Sequence, residues 1–108
     1  MKVLPFVPIE LDKPRNLCLD LNAMVLFEEA TGKSLFDKGT LNSMKAKDTR
    51  ALLWACLKRE DPNLTLEDVG KMIDSSNIAE VSQKLMEALA VAIPEKSDRP
   101  LVNQNGTG

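Results

Sequence analysis

The run from Ala51 through Leu52, Leu53, Trp54, Ala55 and Cys56 to Leu57 constrains the fold most, because its only polar side-chain groups are an indole N–H and a thiol. A helix that is apolar nearly all round is central to a fold or pressed on a partner. The helix carrying this run is predicted over Ala46 to Glu60, with Asp48 near the positive end of its dipole and Lys58 and Arg59 near the negative end. Pro62 ends it, since proline pushes the residue before it out of the α region. Thr65 and Asp68 then have capping-box spacing and open a short helix to about Asp74. Its stripe is Leu66, Val69, Gly70 and Ile73, and a glycine on that face predicts close approach of another helix.

Three further elements surround this helix–corner–helix unit. Val7, Ile9 and Leu11 alternate with other residues, as do Leu17, Leu19 and Leu21, with a turn cluster over residues 12–16 between them. The pattern predicts a β-hairpin over about residues 3–20, whose first strand is an edge or starts irregularly because Pro8 has no N–H. Asp20 or Asn22 caps a helix running to about Thr31, stopped by Gly32, with Ala23, Leu26, Phe27 and Ala30 on its inner face. Residues 34–37 read as a short helical turn and 38–45 as a loop broken by Gly39. Asn77 and Glu80 cap a last helix to about Ile93, with Ile78, Val81, Leu85, Ala88, Leu89 and Ala92 on one face. The fold class is mainly α: a small single domain of about four helices, spanning residues 1–93, preceded by the hairpin. Residues 94–108 are polar, aperiodic and interrupted by proline, and are expected to form a disordered, flexible tail.

A chain of 108 residues buries roughly 65% of its unfolded surface, enough for one modest core. Its net charge of −2 favours neither nucleic acid nor an anionic membrane, and no run approaches the roughly 20 apolar residues of a membrane span. There is no histidine, and Cys18 and Cys56 lack metal-ligand spacing, so they read as buried thiols in a reducing, cytoplasmic setting. The segment from Ala30 to Ser34 ends like a phosphate-binding loop. Phe27 stands where that loop needs its first glycine, and a helix C-terminus directs carbonyls rather than N–H groups at a phosphate. Adjacent carboxylates at Glu28 and Glu29, Glu60 and Asp61, and Glu67 and Asp68 point about 100° apart on a helix and do not converge. No catalytic, cofactor-binding or metal-ligating residue is assigned. Candidate partner-binding residues are Trp54, Met72 and Met86, as adaptable apolar groups, and Val25 and Val91, which fall off the inner stripes of their helices.

Taken together, residues 27–36 and 51–74 resemble the small tail assembly chaperones of long-tailed phages and prophages, and the related proteins of gene transfer agents. The resemblance runs from about Ile9 to Ile93 and is strongest around Trp54 and the Asp61–Pro62 corner. Lys45 departs from it, standing where a small capping residue is expected, and so does Cys56, standing where glycine or alanine is more usual. The resemblance implies a non-enzymatic protein of the host cytoplasm, absent from the mature virion. It would hold the long helical tape measure protein, help recruit the tail tube protein, and leave before the tail is complete. It also implies that a ribosomal frameshift near the gene's end appends a second domain to some copies. Self-association is a further expectation. The alternative is a small structural adaptor, connector or regulator that binds a folded partner and stays in the assembly.

Overall fold

A computed structural model describes residues 6–92 as a two-stranded antiparallel hairpin followed by five helices. The strands are β1 (Phe6–Glu10) and β2 (Pro14–Cys18), and the helices are α1 (Leu21–Thr31), α2 (Lys38–Asn42), α3 (Ala46–Leu57), α4 (Leu66–Gly70) and α5 (Ile78–Ala92). The apolar run is the hub. α3 receives α1, α4, β2 and α5, while α5 also packs on both strands. Asp48, Ala51, Leu52, Leu53, Ala55, Cys56 and Leu57 are all buried, so α3 is core rather than interface. One contiguous apolar cluster joins it to Val7, Ile9, Leu17, Phe27, Val69, Val81 and Leu85.

The hairpin forms as its alternation requires. Val7 faces Leu17 and Ile9 faces Arg15 across the ladder, with all four side chains buried. Asn16 pairs with Pro8, and its N–H points away from β1 to donate to Glu60 Oε1 at 3.3 Å. In an antiparallel ladder that outward N–H marks a pair without mutual hydrogen bonds, so the missing N–H of Pro8 removes no bond to β2. The turn is shorter than the polar cluster implied, because Pro14, Arg15 and Asn16 already belong to β2. Arg15 enters the interior because its guanidinium grips both oxygens of Asp12 (2.7 and 2.8 Å) and reaches Asp61 at 3.4 Å, tying the hairpin turn to the corner after α3. Leu21 does not continue the strand pattern; it starts α1 and is exposed.

Asp20 caps α1 by accepting the Ala23 N–H at 2.9 Å, and Gly32 stops it in the left-handed region at φ 74°, with its N–H on the Glu28 carbonyl at 2.7 Å. The buried face is rotated from the expected stripe: Ala23, Met24 and Phe27 are inside, Leu26 is half-buried and Ala30 is exposed. A short helix, α2, stands where a loop was expected and contains Gly39. One glycine costs a helix only about 1 kcal/mol. Local bonds offset it: Thr40 Oγ1 donates to the Ser34 carbonyl (2.6 Å) and Ser43 Oγ to the Gly39 carbonyl (2.9 Å).

α3 ends at Leu57, three residues before the expected Glu60, because the Leu57 carbonyl takes the N–H groups of Glu60 and Asp61 in a tight turn ahead of Pro62. The capping box of α4 forms in both directions, with Thr65 Oγ1 accepting from Asp68 N (3.0 Å) and Asp68 Oδ2 from Thr65 N (3.1 Å). That helix is one turn shorter than expected. A Cβ on Gly70 would lie 3.3 Å from Arg50 Cδ, so the close approach it provides is to a side chain of α3. Asn77 does not cap α5 with its side chain. Its amide turns back to accept from Asp74 N (2.8 Å) and donate to the Met72 carbonyl (2.9 Å), locking the α4–α5 connection. The expected tail 94–108, the helix end at Ile93 and the first hairpin residues 3–5 lie outside the described residues.

Candidate functional site

Ionisable groups that could support chemistry are held in structural bonds. Lys33, from the sequence resembling a phosphate-binding loop, donates to Asp48 Oδ2 at 2.8 Å and to the Ser43 carbonyl at 3.3 Å. Asp48 is fully buried, and the same oxygen accepts the Lys45 N–H at 2.9 Å. The Lys33 ammonium holds the Asp48 carboxyl below its usual range, against the opposing effect of burial. Lys45 carries no side-chain acceptor, so Asp48 alone caps the start of α3. Sequence reasoning placed Asp48 at the helix dipole but missed Lys33 as its partner. The two are fifteen residues apart, and only the antiparallel packing of α1 on α3 joins them.

Other titratable groups serve the same structural ends. Asp12 is held low by Arg15, and Asp68 by the Thr65 N–H and hydroxyl. Both cysteines are free and buried, as expected, and burial pushes the Cys56 thiol up to about 12, which keeps it protonated and unreactive at neutral pH. Among the described residues no group of three or more potential metal ligands converges. None of the described helices is long and apolar enough to cross a membrane.

The five candidate partner-binding residues fall on different faces. Trp54 is half-buried; its indole N–H donates to the Leu64 carbonyl at 2.8 Å, and the Lys58 ammonium lies 5.2 Å from the ring centroid. Lys58 also donates to the Pro62 carbonyl at 2.6 Å, so Trp54 and Lys58 together fasten the corner. Met72, also half-buried, lines a shallow cleft with Leu11, Leu64 and the side chains of Arg15, Asp68 and Lys71. Both residues therefore border Leu64. Val25, 43% exposed, projects from the outer face of α1 one turn after Leu21. Met86 and Val91, 48% and 53% exposed, emerge from well-separated sides of α5, about 140° apart at 100° per residue.

Other exposed apolar groups were not singled out from sequence. Phe36 precedes α2 and Leu41 lies within it, and Ile78, assigned above to the inner stripe of α5, is 40% exposed. The reason is positional, since burial on α5 begins only at Val81. Phe6 is partly screened by the Arg59 guanidinium, 5.9 Å from its ring centroid. The resulting surface is a filled core with several apolar side chains displayed on helix faces. No family model, curated protein or solved structure matches the chain.

Proposed function

We propose that this chain is a tail assembly chaperone of a long-tailed phage or prophage, working by protein binding rather than catalysis. Its client is the tape measure protein, a long helical chain that needs its apolar faces shielded until tail tube subunits surround it. Support comes from the resemblance carried by residues 27–36 and 51–74. The observation that carries most weight is that apolar side chains remain displayed on helix faces although the core is already filled, with Leu21 and Val25 on α1 and Ile78 and Met86 on α5. Such faces suit helix-in-groove or helix-on-helix contact. The hairpin edge is a poorer contact, because Pro8 removes a donor from the row that an added strand would need. On this reading the protein acts in the host cytoplasm and leaves before the virion is complete.

The test is co-expression of an N-terminally tagged chain, from its native gene with the downstream DNA, together with the tape measure protein of the same tail gene cluster. Retention of the tape measure protein on the tag and an increase in its soluble fraction are expected. Intact-mass analysis of the tagged products adds a second reading, since a minor longer product with the same N-terminus is expected from frameshifting. Recovery of the chain in stoichiometric amounts from purified virions would instead mark it as a structural adaptor.

A further inference from the structure

After its first turn α3 is core on every side but one. Of its residues that are not buried, Lys47, Arg50 and Trp54 follow one another at intervals of three and four, and Lys58, just past the helix, continues the line. This open line is cationic. Arg50 is exposed, but its stem rests on α4: a Cβ on Gly70 would lie 3.3 Å from Arg50 Cδ and 4.0 Å from Nη1, so only a residue without a side chain lets the guanidinium lie there, beside Lys71. Lys47 stands one turn before Arg50, and three cations therefore gather where α3 meets α4. Among the described residues none of the three has a carboxylate within 4.0 Å, whereas Arg15, Lys33, Arg59 and Lys84 are all ion-paired. The hydrogen bonds that cationic side chains donate come from Arg15, Lys33, Lys58 and Arg59, so Arg50 is positioned without an acceptor.

A guanidinium offers its N–H donors in a planar fork that grips a carboxylate or phosphate at two points. Contact with α4 at Gly70 has already removed part of the Arg50 stem's freedom, which lowers the entropy that binding must offset. The ligand this chemistry fits is an oxyanion, and the surroundings select its carrier. Trp54 offers no base a stacking platform, because the Lys58 ammonium lies 5.2 Å from its ring centroid and its indole N–H is committed to the Leu64 carbonyl. Glu67 and Asp68, in the first turn of α4, bound the cations within one turn of Lys71, and a continuous phosphate backbone would run against them. Nucleic acid draws its affinity from many phosphate contacts, and three cations supply few. Two or three carboxylates on a short segment match them in number and sign. We infer that Arg50, with Lys47 and Lys71, is a docking site for a short acidic segment of a partner protein. The inference goes beyond the chaperone reading and does not depend on its client.

The experiment titrates the full chain against three fluorescein-labelled probes of about 12 units, read by anisotropy at about 50 mM salt. The probes are a Glu-rich peptide, the same peptide with Gln for Glu, and a single-stranded DNA of mixed sequence. Weak, saturable binding of the Glu peptide is expected, with none of the Gln peptide, and a loss of about fivefold at about 300 mM salt as exposed ion pairs are screened. Arg50→Gln should weaken binding about fivefold, and Arg50→Lys, which keeps the charge but not the fork, about twofold. Gly70→Ala keeps every charge and displaces the Arg50 stem, so it should weaken binding about twofold at unchanged melting. Lys84→Gln removes the same charge from α5 and should leave binding unchanged. No binding of the Glu peptide, full binding by Arg50→Gln, or an equal loss with Lys84→Gln overturns the inference. Tighter binding of the DNA than of the peptide overturns it in favour of nucleic acid, and a wild-type dimer that Arg50→Gln dissociates overturns it in favour of a second copy.

Discussion

α3 and α5 are both rich in apolar residues, yet they hold opposite positions. The 12 residues of α3 bury seven side chains, because a strand and three helices surround it. The 15 residues of α5 bury four, because it packs from one side only. Apolar content therefore does not by itself say whether a helix is central or displayed. What separates the two is that α3 has neighbours around most of its circumference, whereas part of α5's uncharged circumference has none among the described residues. Substitutions at buried positions of α3 should act on stability, and substitutions on the outer face of α5 should leave it nearly unchanged.

The largest expected effect sharpens that contrast at the hub. Leu53→Ala removes a fully buried side chain where four elements meet, and should destabilise by about 3 to 4 kcal/mol. It would appear as a lower urea midpoint at unchanged slope. A loss below about 1 kcal/mol would break the comparison by showing that α3 is not the hub. Trp54→Ala should cost about 3 kcal/mol, at the lower end for an aromatic because the ring is half-buried. Trp54→Phe isolates the bond to the Leu64 carbonyl and should cost about 1 kcal/mol. Loss of partner binding by Trp54→Ala without a change in melting would instead move Trp54 to an interface.

Next in size is the Lys33–Asp48 pair, which fixes the start of α3. Asp48→Ala leaves the Lys33 ammonium without its partner and the Lys45 N–H without an acceptor, and should cost about 2 kcal/mol, a value reduced because Lys33 reaches solvent. Lys33→Met combined with Asp48→Leu should cost only about 1 kcal/mol, since apolar replacement of such a pair is often neutral and what remains lost is the acceptor for the Lys45 N–H. The folded carboxyl titrates below its ordinary value of 3.8, so its contribution is complete above that value and is lost as pH falls through the depressed folded one. Acid titration of wild type should therefore show a stability loss in this range that the double variant lacks. The smallest effect lies on α5, where Met86→Glu should change stability by no more than about 0.5 kcal/mol. A cooperative loss of several times that size would mean that this face is core.

Legibility followed the range of the interactions. The inward alternation of Val7, Ile9 and Leu17, the Thr65 cap and the Gly32 stop depend on residues within a few positions of one another and are present as the spacing implies, with Asp20 rather than Asn22 capping α1. Gly39 misled because a glycine reads as a breaker in isolation, whereas hydroxyls of Thr40 and Ser43 stabilise one helical turn around it. Asn77 misled in the opposite way, since its amide had two backbone partners behind it that outcompeted the N–H groups ahead. For the candidate surface, Val25 and Val91 were placed outside correctly from periodicity, because a residue off the apolar stripe has no core to enter, whereas Met86 was named only for its adaptable thioether and its exposure was decided by packing. Ile78 was not, since its angle on α5 matches the stripe but the covering elements stop short of the first turn.

By itself the sequence determined the mainly helical class, the hairpin and the four longer helical segments after it, because period, caps and turn residues act locally; that residues 51–57 are core rather than interface was decided by the packing around α3. Only the tertiary structure decided that Lys33 meets Asp48, that Arg15 is buried between Asp12 and Asp61, and which side of each amphipathic helix stays uncovered. Those outcomes depend on which elements pack against which. A helix wheel gives the angle of every side chain but not the arc its neighbours occupy, and the line of α3 left open by those neighbours is where the proposed acidic contact lies.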